Sequence, residues 1–370
     1  PSASNKGSPG NSPSTYLPNA KISVNIDDLS QAVHAEAIID LWGGHVGTTG
    51  KKFKFNGNSW RTIPELDTTP TSGQCYTHQT NPVISVPLSH LKTGTNTLQG
   101  TSGGQTCYNF NWGQWGWYGV NLRVYYSDSK PHPDGIITSH NNGATIGEGP
   151  TIKVSASYSA GIEKVEVIAY YEGYDVDGDG YFKEWQTNFR KDQDSKTFEL
   201  KNIVGSDSTA PYEIKWDTEL VPSQSGMKLK ARITGKDGTV YETKPVEDIT
   251  LQRSGSVKLF KPKDVPEKHW VRDGQKKSSK VNIPSLSGAT SAKLIVATWN
   301  GQANGASHYT KINGWSTPKY GRSHFYSLDV IDVPISKLQS GDNTIQFYAA
   351  TSHHGIEIMW PGPALIVRYS

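Results

Sequence analysis

Apolar and polar residues alternate in short segments along most of the chain. Within residues 21–26, isoleucine and valine alternate with serine and asparagine, and a similar segment runs from Val120 to Tyr126. A period of two places alternate side chains on opposite faces of a strand, as in a half-buried sheet. Because no long apolar stripe with a period of 3.6 accompanies these segments, the pattern predicts an all-β protein.

The pattern occurs twice. Ala35–Trp42 and Ala292–Trp299 match at a spacing of 257 residues. Further along, Val86–Gln99 and Val333–Gln346 share an apolar strand end, a proline, a glycine turn and an Asn-Thr opening, now 247 residues apart. We infer that one domain was duplicated and that the copies differ in the lengths of their loops, where binding differences are usually found.

Two short motifs within the repeats resemble those of a known family. The tip Phe55-Asn56-Gly57 and the segment Leu91–Leu98 resemble the hairpin and turn of galactose-binding-like jelly rolls, which are attached to many glycan-active enzymes. Two such domains in one chain also resemble the tandem-repeat jelly-roll lectins of mushrooms, of the oyster mushroom lectin type. The resemblance implies that the ligand is a glycan or polysaccharide, galactose-containing glycans included.

The repeats leave room for one domain between them. We predict two homologous jelly-roll β-sandwiches flanking a smaller immunoglobulin- or fibronectin-like β-sandwich, since the middle strands resemble those of such a module. The charged segment Lys261–Lys277 is expected to be a solvated linker. The predicted boundaries are a flexible tail at 1–19, the first jelly roll at 20–127, the middle domain at 128–252 and the second jelly roll at 253–370.

Charge and cysteine content narrow the classes of partner. The net charge of +3 over 370 residues forms no long basic run, so we expect no nucleic-acid partner. No apolar run approaches the roughly 20 residues that cross a bilayer, so no membrane span is expected. Cys75 and Cys107 are the only cysteines. We expect them to form a disulfide, which would fit a secreted, extracellular protein, and a reduced pair is the alternative.

The middle domain contains a candidate calcium loop, Asp175-Val176-Asp177-Gly178-Asp179-Gly180-Tyr181. Carboxylates at positions one, three and five converge when the chain turns tightly, and the carbonyl of Tyr181 would be the next ligand. Gln186 replaces the usual glutamate at position twelve, so Glu184 is predicted to take its place. The alternative is a solvated acidic hairpin tip without a cation. We therefore predict calcium as a cofactor bound by Asp175, Asp177, Asp179, Tyr181 and Glu184.

Aromatic and histidine residues in the loops of the repeats are candidates for sugar contact. Indole rings stack on the C–H faces of sugars, and polar neighbours bind the hydroxyl groups. For Trp112 and Trp115, plain packing is an equally weighted alternative. The histidines of the second repeat could hold a metal, recognise an acidic sugar, act as general acid and base, or have no joint role. The predicted carbohydrate-binding residues are Trp112, Trp115, Trp60, His45, His324, His353 and Trp315.

These features predict a secreted, lectin-like carbohydrate-binding protein stabilised by calcium. One alternative is a lyase or hydrolase that acts on polysaccharide, although no paired carboxylates recur in the two repeats and no nucleophile motif is present. Another is a non-catalytic module of a larger glycan-active enzyme. The sequence assigns no catalytic residue.

Overall fold

The computed structural model of the chain describes residues 2–4, 21–71, 73–108, 112–191, 197–301, 308–352 and 355–370. These residues form β-strands joined by turns, with two single-turn 3-10 helices at Leu88–His90 and Ile335–Lys337. The predicted all-β class is confirmed. Among the described residues, no helix is long and apolar enough to span a bilayer.

The first repeat is a sandwich of two sheets. One sheet has the strand order β1-β9-β3-β6 with β7 also paired to β3, and the other has the order β2-β8-β4-β5. Phe53, Phe55 and Leu98 of one sheet pack with Leu41 and Trp117 of the other in a dry core. The strands are β1 (Ser2–Ser4), β2 (Lys21–Ile26), β3 (Ala32–Trp42), β4 (Lys52–Phe55), β5 (Arg61–Thr62), β6 (Gln79–Thr80), β7 (Val83–Ser85), β8 (Gly94–Thr101) and β9 (Gln114–Tyr126).

The expectation of a flexible tail is wrong for Ser2–Ser4. This segment pairs antiparallel with β9, with Ala3 opposite Trp115, and Ala3 is fully buried. The free edge of β9 offers unpaired backbone groups, which an extended segment of any composition can pair with. Residues 5–20 lie outside the described part of the chain.

The middle domain has its own core between a three-stranded sheet, β10-β12-β18, and a larger one built on β11-β21-β19-β13-β14. A separate hairpin pairs β15 with β16. The strands are β10 (Asp134–Ile137), β11 (Thr145–Ile146), β12 (Thr151–Ser157), β13 (Ile162–Glu172), β14 (Lys183–Trp185), β15 (Asn188–Lys191), β16 (Phe198–Lys201), β17 (Gly205–Asp207), β18 (Tyr212–Lys215), β19 (Met227–Gly235), β20 (Val240–Glu242) and β21 (Val246–Leu251).

The second repeat is again a sandwich, with sheets ordered β22-β32-β26-β31-β24 and β23-β25-β30-β27-β28, and with β29 paired to β26. Its strand β26 has the same sequence of buried and exposed positions as β3. The strands are β22 (Ser256–Phe260), β23 (Pro262–Lys263), β24 (Trp270–Val271), β25 (Lys276–Ile283), β26 (Ala289–Trp299), β27 (His308–Ile312), β28 (Trp315–Ser316), β29 (Tyr326–Asp332), β30 (Gly341–Ala349), β31 (Ile356–Ile358) and β32 (Ala364–Tyr369).

The expected linker at Lys261–Lys277 is instead part of this second sandwich. It contributes β23, β24 and the beginning of β25. His269 within it is buried, and its ring lies 5.2 Å from that of Phe347 in the core. The lysines of the segment favour exposure to solvent, but the apolar residues between them are sufficient to keep the segment in the sheet.

One buried amide network is identical in the two repeats. The Asn96 side chain accepts hydrogen bonds from Asn56 Nδ2 (2.7 Å) and the Lys92 N–H (2.9 Å), and it donates to two turn carbonyls. Asn343 makes the same four bonds with Asn313, Gln339 and Gly341. The asparagine of the Asn-Thr motif therefore closes the turn in both copies.

The predicted disulfide is confirmed. Cys75 and Cys107 are bonded, with their Cα atoms 5.5 Å apart. The bond joins two loops that are 32 residues apart in sequence at one end of the first sandwich.

Candidate metal centre and candidate glycan-binding residues

The acidic loop connects β13 to β14 and brings three carboxylates together. Asp175, Asp177 and Glu184 each place an oxygen within 4.8 Å of the others. The carboxylate of Asp175 also accepts backbone N–H groups from Gly178 (2.6 Å) and Gly180 (2.6 Å). The chain is therefore wrapped around Asp175 as a tight loop, which fixes the direction of its carboxylate.

Glycine and glutamine residues explain how the loop closes. Gly178 and Gly180 have φ angles of 77° and 92°, which L side chains rarely adopt. Gln186 is buried and donates from Nε2 to the carbonyls of Tyr171 (3.2 Å) and Phe182 (3.1 Å). Gln186 therefore fastens the loop, and Glu184 supplies the carboxylate that the sequence pattern lacks at position twelve.

The electrostatics of this cluster disfavour three uncompensated negative charges. Burial, followed by the neighbouring carboxylates, raises the pKa of Asp177 to about 7 and that of Glu184 to about 11, and the pKa of Asp175 is also raised well above its usual value. Glu184 Oε1 is buried and accepts no hydrogen bond from the described residues. Crowded carboxylates are costly unless a positive charge lies among them. The cluster could therefore hold a metal ion.

The two other predicted ligands have different surroundings. Asp179 lies outside the group of three, and its Oδ1 accepts the N–H of Tyr181 (2.8 Å). Tyr181 is exposed, and its hydroxyl donates to Asp67 (3.0 Å) in the first repeat. All the side-chain donors of the cluster are oxygen atoms, which suits a hard cation such as calcium better than zinc.

The loop lies where all three domains meet. A Cβ added to Gly178 would be 2.1 Å from the Gln79 carbonyl oxygen, so only glycine allows this approach to the first repeat. Tyr174 donates its hydroxyl to the Gly362 carbonyl of the second repeat (2.9 Å). Val176 and Tyr174 share a buried cluster with Ile295 and Ile366, among other residues of that repeat. The acidic cluster thus belongs to an interdomain junction.

A buried ion pair extends this junction. Arg190 of β15 donates from Nη1 to Asp40 Oδ1 of β3 (3.1 Å), and both side chains are almost fully buried. Nη2 of Arg190 donates to the carbonyls of Gln79 (3.2 Å) and Val176 (3.3 Å). The guanidinium group also lies over the ring of Tyr326, 5.1 Å from its centroid. One side chain therefore joins the first repeat, the loop and the second repeat.

Glu357 is a further residue of the junction that the sequence did not single out. Its Oε2 accepts a hydrogen bond from the indole N–H of Trp42 (3.0 Å). This hydrogen bond joins a strand of the second repeat to a strand of the first. Burial raises the pKa of Glu357 to about 7. Trp299, the counterpart of Trp42, pairs with Glu357 across the sheet. A comparison of the repeats offers no signal for this contact, since the residue opposite Trp42 in the first copy is Gly116.

The structure corrects the prediction for Trp115. Its side chain is fully buried beside Trp117, at a ring distance of 4.9 Å, and its indole donates to the Thr101 carbonyl (2.8 Å). Pairing of β9 with both β3 and β1 places this residue in the core, as the packing alternative required. Trp115 therefore presents no ring face to a ligand.

Two other predicted residues of the first repeat lie together. Trp112 and His45 are half-buried, and their rings meet edge to face at 4.4 Å. Burial lowers the pKa of His45 to about 4, so the imidazole is neutral at pH 7. The pair combines an apolar ring with a neutral polar one, a combination that suits an uncharged sugar.

The remaining predicted tryptophans lie near the Asn-Gly hairpin tips. Trp60 is 38% exposed, and Lys54 Nζ lies 4.5 Å from its ring centroid. Trp315 packs partly against the core of the second repeat and lines a cavity of about 480 Å³. The other lining residues are Asn313, Gly314, Ser336, Lys337, Leu338 and Gln339.

The histidines of the second repeat are only partly described. His324 is exposed, with a φ of 55° and its ring edge-on to Trp299 at 6.0 Å. His353, together with its neighbour His354, lies outside the described residues. Sugar contact by His324 and His353 stays a prediction, and a joint role for the histidines stays an alternative to it.

No family model and no curated protein sequence matches the chain. Among solved structures, it is similar to the fibronectin(III)-like modules of Clostridium thermocellum CbhA, at 14% identity and a TM-score of 0.21 over 58% of this chain and 92% of that one. It is similar to a β-porphyranase of glycoside hydrolase family 86 from Bacteroides plebeius, at 12% identity and a TM-score of 0.25. That match covers 68% of this chain and 39% of the porphyranase. It is also similar to SGBP-B of the Bacteroides ovatus mixed-linkage glucan utilization locus, in complex with a heptasaccharide, at 8% identity and a TM-score of 0.20. That match covers 94% of this chain and 70% of SGBP-B. Values this low assign neither ligand nor activity to the chain.

Proposed function

We propose that the protein is a secreted, lectin-like glycan-binding protein whose repeats contact sugar beside their Asn-Gly hairpin tips. The observation that supports this most directly is the cavity beside Trp315. It is an open depression of about 480 Å³ in which Trp315 lies beside the polar residues Ser336, Lys337 and Gln339. The disulfide supports an oxidising, extracellular location.

An immobilised glycan array that includes galactose-terminated oligosaccharides tests the proposal. We expect Trp315→Ala to weaken binding about tenfold, because the ring that covers the apolar face of the sugar is lost. Lys337→Ala is a second variant, because Lys337 is exposed and its truncation leaves the core intact. Tyr125→Ala is the control. It removes an exposed aromatic residue from strand β9 of the first repeat, whereas the cavity lies in the second repeat. Unchanged binding by both cavity variants would overturn the proposal.

Calcium is the proposed occupant of the acidic loop. The loop donates only oxygen ligands, and the three clustered carboxylates carry more negative charge than their buried surroundings tolerate alone. When bound, calcium would supply the compensating charge. Asp175, Asp177 and Glu184 would hold it, and the ion would stiffen the junction between the domains without contacting the sugar.

A further inference from the structure

In each repeat, one of the two sheets packs against the middle domain. In the first repeat this is the sheet of β3 and β9, where the absent side chain of Gly119 leaves room for the ring of Phe198. In the second repeat it is the sheet of β22, β26 and β32, whose Ile295 and Ile366 pack against the metal loop. The other sheets, here called the outer sheets, are β2-β8-β4-β5 and β23-β25-β30-β27-β28. They lie on the opposite side of each sandwich.

The strands of the outer sheets are basic. Those of the first repeat contain Lys21, Lys52, Lys54 and Arg61 and no acidic residue. Those of the second contain five lysines and one aspartate, Asp342, which is paired with Lys263 at 2.7 Å. By contrast, the inner sheet of the second repeat has three acidic and three basic residues. The lysines on the faces turned away from the core are Lys52 and Lys54 in the first repeat and Lys263, Lys276, Lys280 and Lys311 in the second, whereas Arg61 and Lys277 lie directly opposite the core residues Phe53 and Phe347.

The same pair of side chains occurs at the same place on both outer sheets. Lys54 is directly opposite Gln99 on the neighbouring strand, and Lys311 is directly opposite Gln346. These positions correspond in the duplicated sequence, and strand alternation turns all four side chains away from the core. The arrangement has been kept in two copies whose loops have diverged.

An aromatic ring accompanies each lysine. Lys54 Nζ lies 4.5 Å from the ring centroid of Trp60, and Lys311 Nζ lies 4.6 Å from that of Tyr309. Tyr309 also stacks on Tyr348 of the adjacent strand at 4.8 Å. Each face thus combines an ammonium group, an amide and an aromatic ring within reach of one ligand.

We propose that the two outer sheets bind an acidic polysaccharide, with Lys54 and Lys311 pairing with its carboxylate or sulfate groups. Gln99 and Gln346 would bind hydroxyl groups, and the aromatic rings would contact the sugar rings. The proposal rests on the proposed function for its ligand class and adds a second surface and the charge of the ligand. A glycan suits these faces better than a nucleic acid because their cations are few and stand among Ser, Thr, Asn and Gln side chains.

The test measures binding of the full chain to four polymers by biolayer interferometry in 50 mM salt with calcium present. Hyaluronan carries carboxylates and dextran sulfate carries sulfates, whereas unmodified dextran is neutral and single-stranded DNA is a polyanion without acidic sugars. The variant is Lys54→Gln/Lys311→Gln. The control is Lys258→Gln, which removes an exposed lysine that also lies near a tyrosine ring, 5.4 Å from that of Tyr369, but on the inner sheet.

We expect the double variant to bind hyaluronan or dextran sulfate at least tenfold more weakly, and the control to bind as the native chain does. The preferred polymer of the two identifies the acidic group. Equal binding by the double variant and the control would overturn the proposal, as would binding of DNA as tight as that of both acidic glycans. Because the Trp315 cavity is tested separately with neutral glycans, failure here leaves the proposed function standing.

Discussion

At the scale of single residues, burial decides which side chains remain available for chemistry. Trp115 and Trp60 are both loop-region indoles in sequence, yet one is fully buried and the other is 38% exposed. Glu357 is a carboxyl placed among the aromatic side chains of the two repeats, and its burial raises its pKa to about 7. Such a group makes stability depend on pH.

We expect Glu357→Gln to remove part of the pH dependence of folding. Because the pKa is raised in the folded state from 4.5, folding favours the protonated form. The native chain therefore loses stability as pH rises from about 4.5 to about 7. Over that window the difference in unfolding free energy between variant and native chain should change by about 3 kcal/mol in favour of the variant.

Urea denaturation at pH 4, 5.5 and 8 measures this difference. Glutamine keeps an acceptor for the Trp42 N–H and has nearly the size and shape of glutamate. A difference that stays constant across these pH values would contradict the prediction.

At the scale of elements, the turn that recurs in both repeats is fixed by its buried asparagine. We expect Asn96→Ala to destabilise the first repeat by about 3 kcal/mol, since Lys92, Gly94 and Asn56 would lose their hydrogen bonds to a side chain that is itself fully buried. Asn25→Ala, an exposed asparagine on the adjacent strand, is the control and should cost under about 0.5 kcal/mol. Equal unfolding midpoints in urea for the two variants would contradict this assignment.

The individual strands and turns were the part of the fold that the sequence predicted best. Alternation of apolar residues predicted β3 and its copy β26, and the Asn-Thr motif marked the turns, because both signals are local. The strand Ser2–Ser4 was missed because its polar sequence carries no pattern, and only the free edge of β9 explains it. The clustering of acidic side chains in the loop could be predicted because its carboxylates are close in sequence. The Arg190–Asp40 pair joins residues 150 apart, and no local pattern marks such a contact.

At the scale of the whole molecule, the acidic loop contacts both repeats, and with calcium as its proposed occupant we expect Asp177→Asn to have opposite effects with and without calcium. In EDTA the variant should melt at a higher temperature than the native chain, because one of the crowded carboxylates is gone. In calcium it should melt several degrees lower, because a ligand is lost.

Differential scanning calorimetry of both proteins in each buffer measures the two shifts. Glu163→Gln, which removes an exposed carboxylate from the same domain, is the control and should shift equally in both buffers. A shift of the same sign for Asp177→Asn in calcium and in EDTA would contradict calcium binding at this loop.

The attachment of this loop to both repeats has a geometric consequence. Tyr174 is hydrogen-bonded to the second repeat, and Gly178 lies against the first. The distance between the two outer sheets is therefore set by the loop rather than by a flexible linker. A stiff polymer bound on one copy reaches the other at high local concentration only when its charged groups repeat at that distance. The molecule would then discriminate among polysaccharide chains by the spacing of their acidic groups.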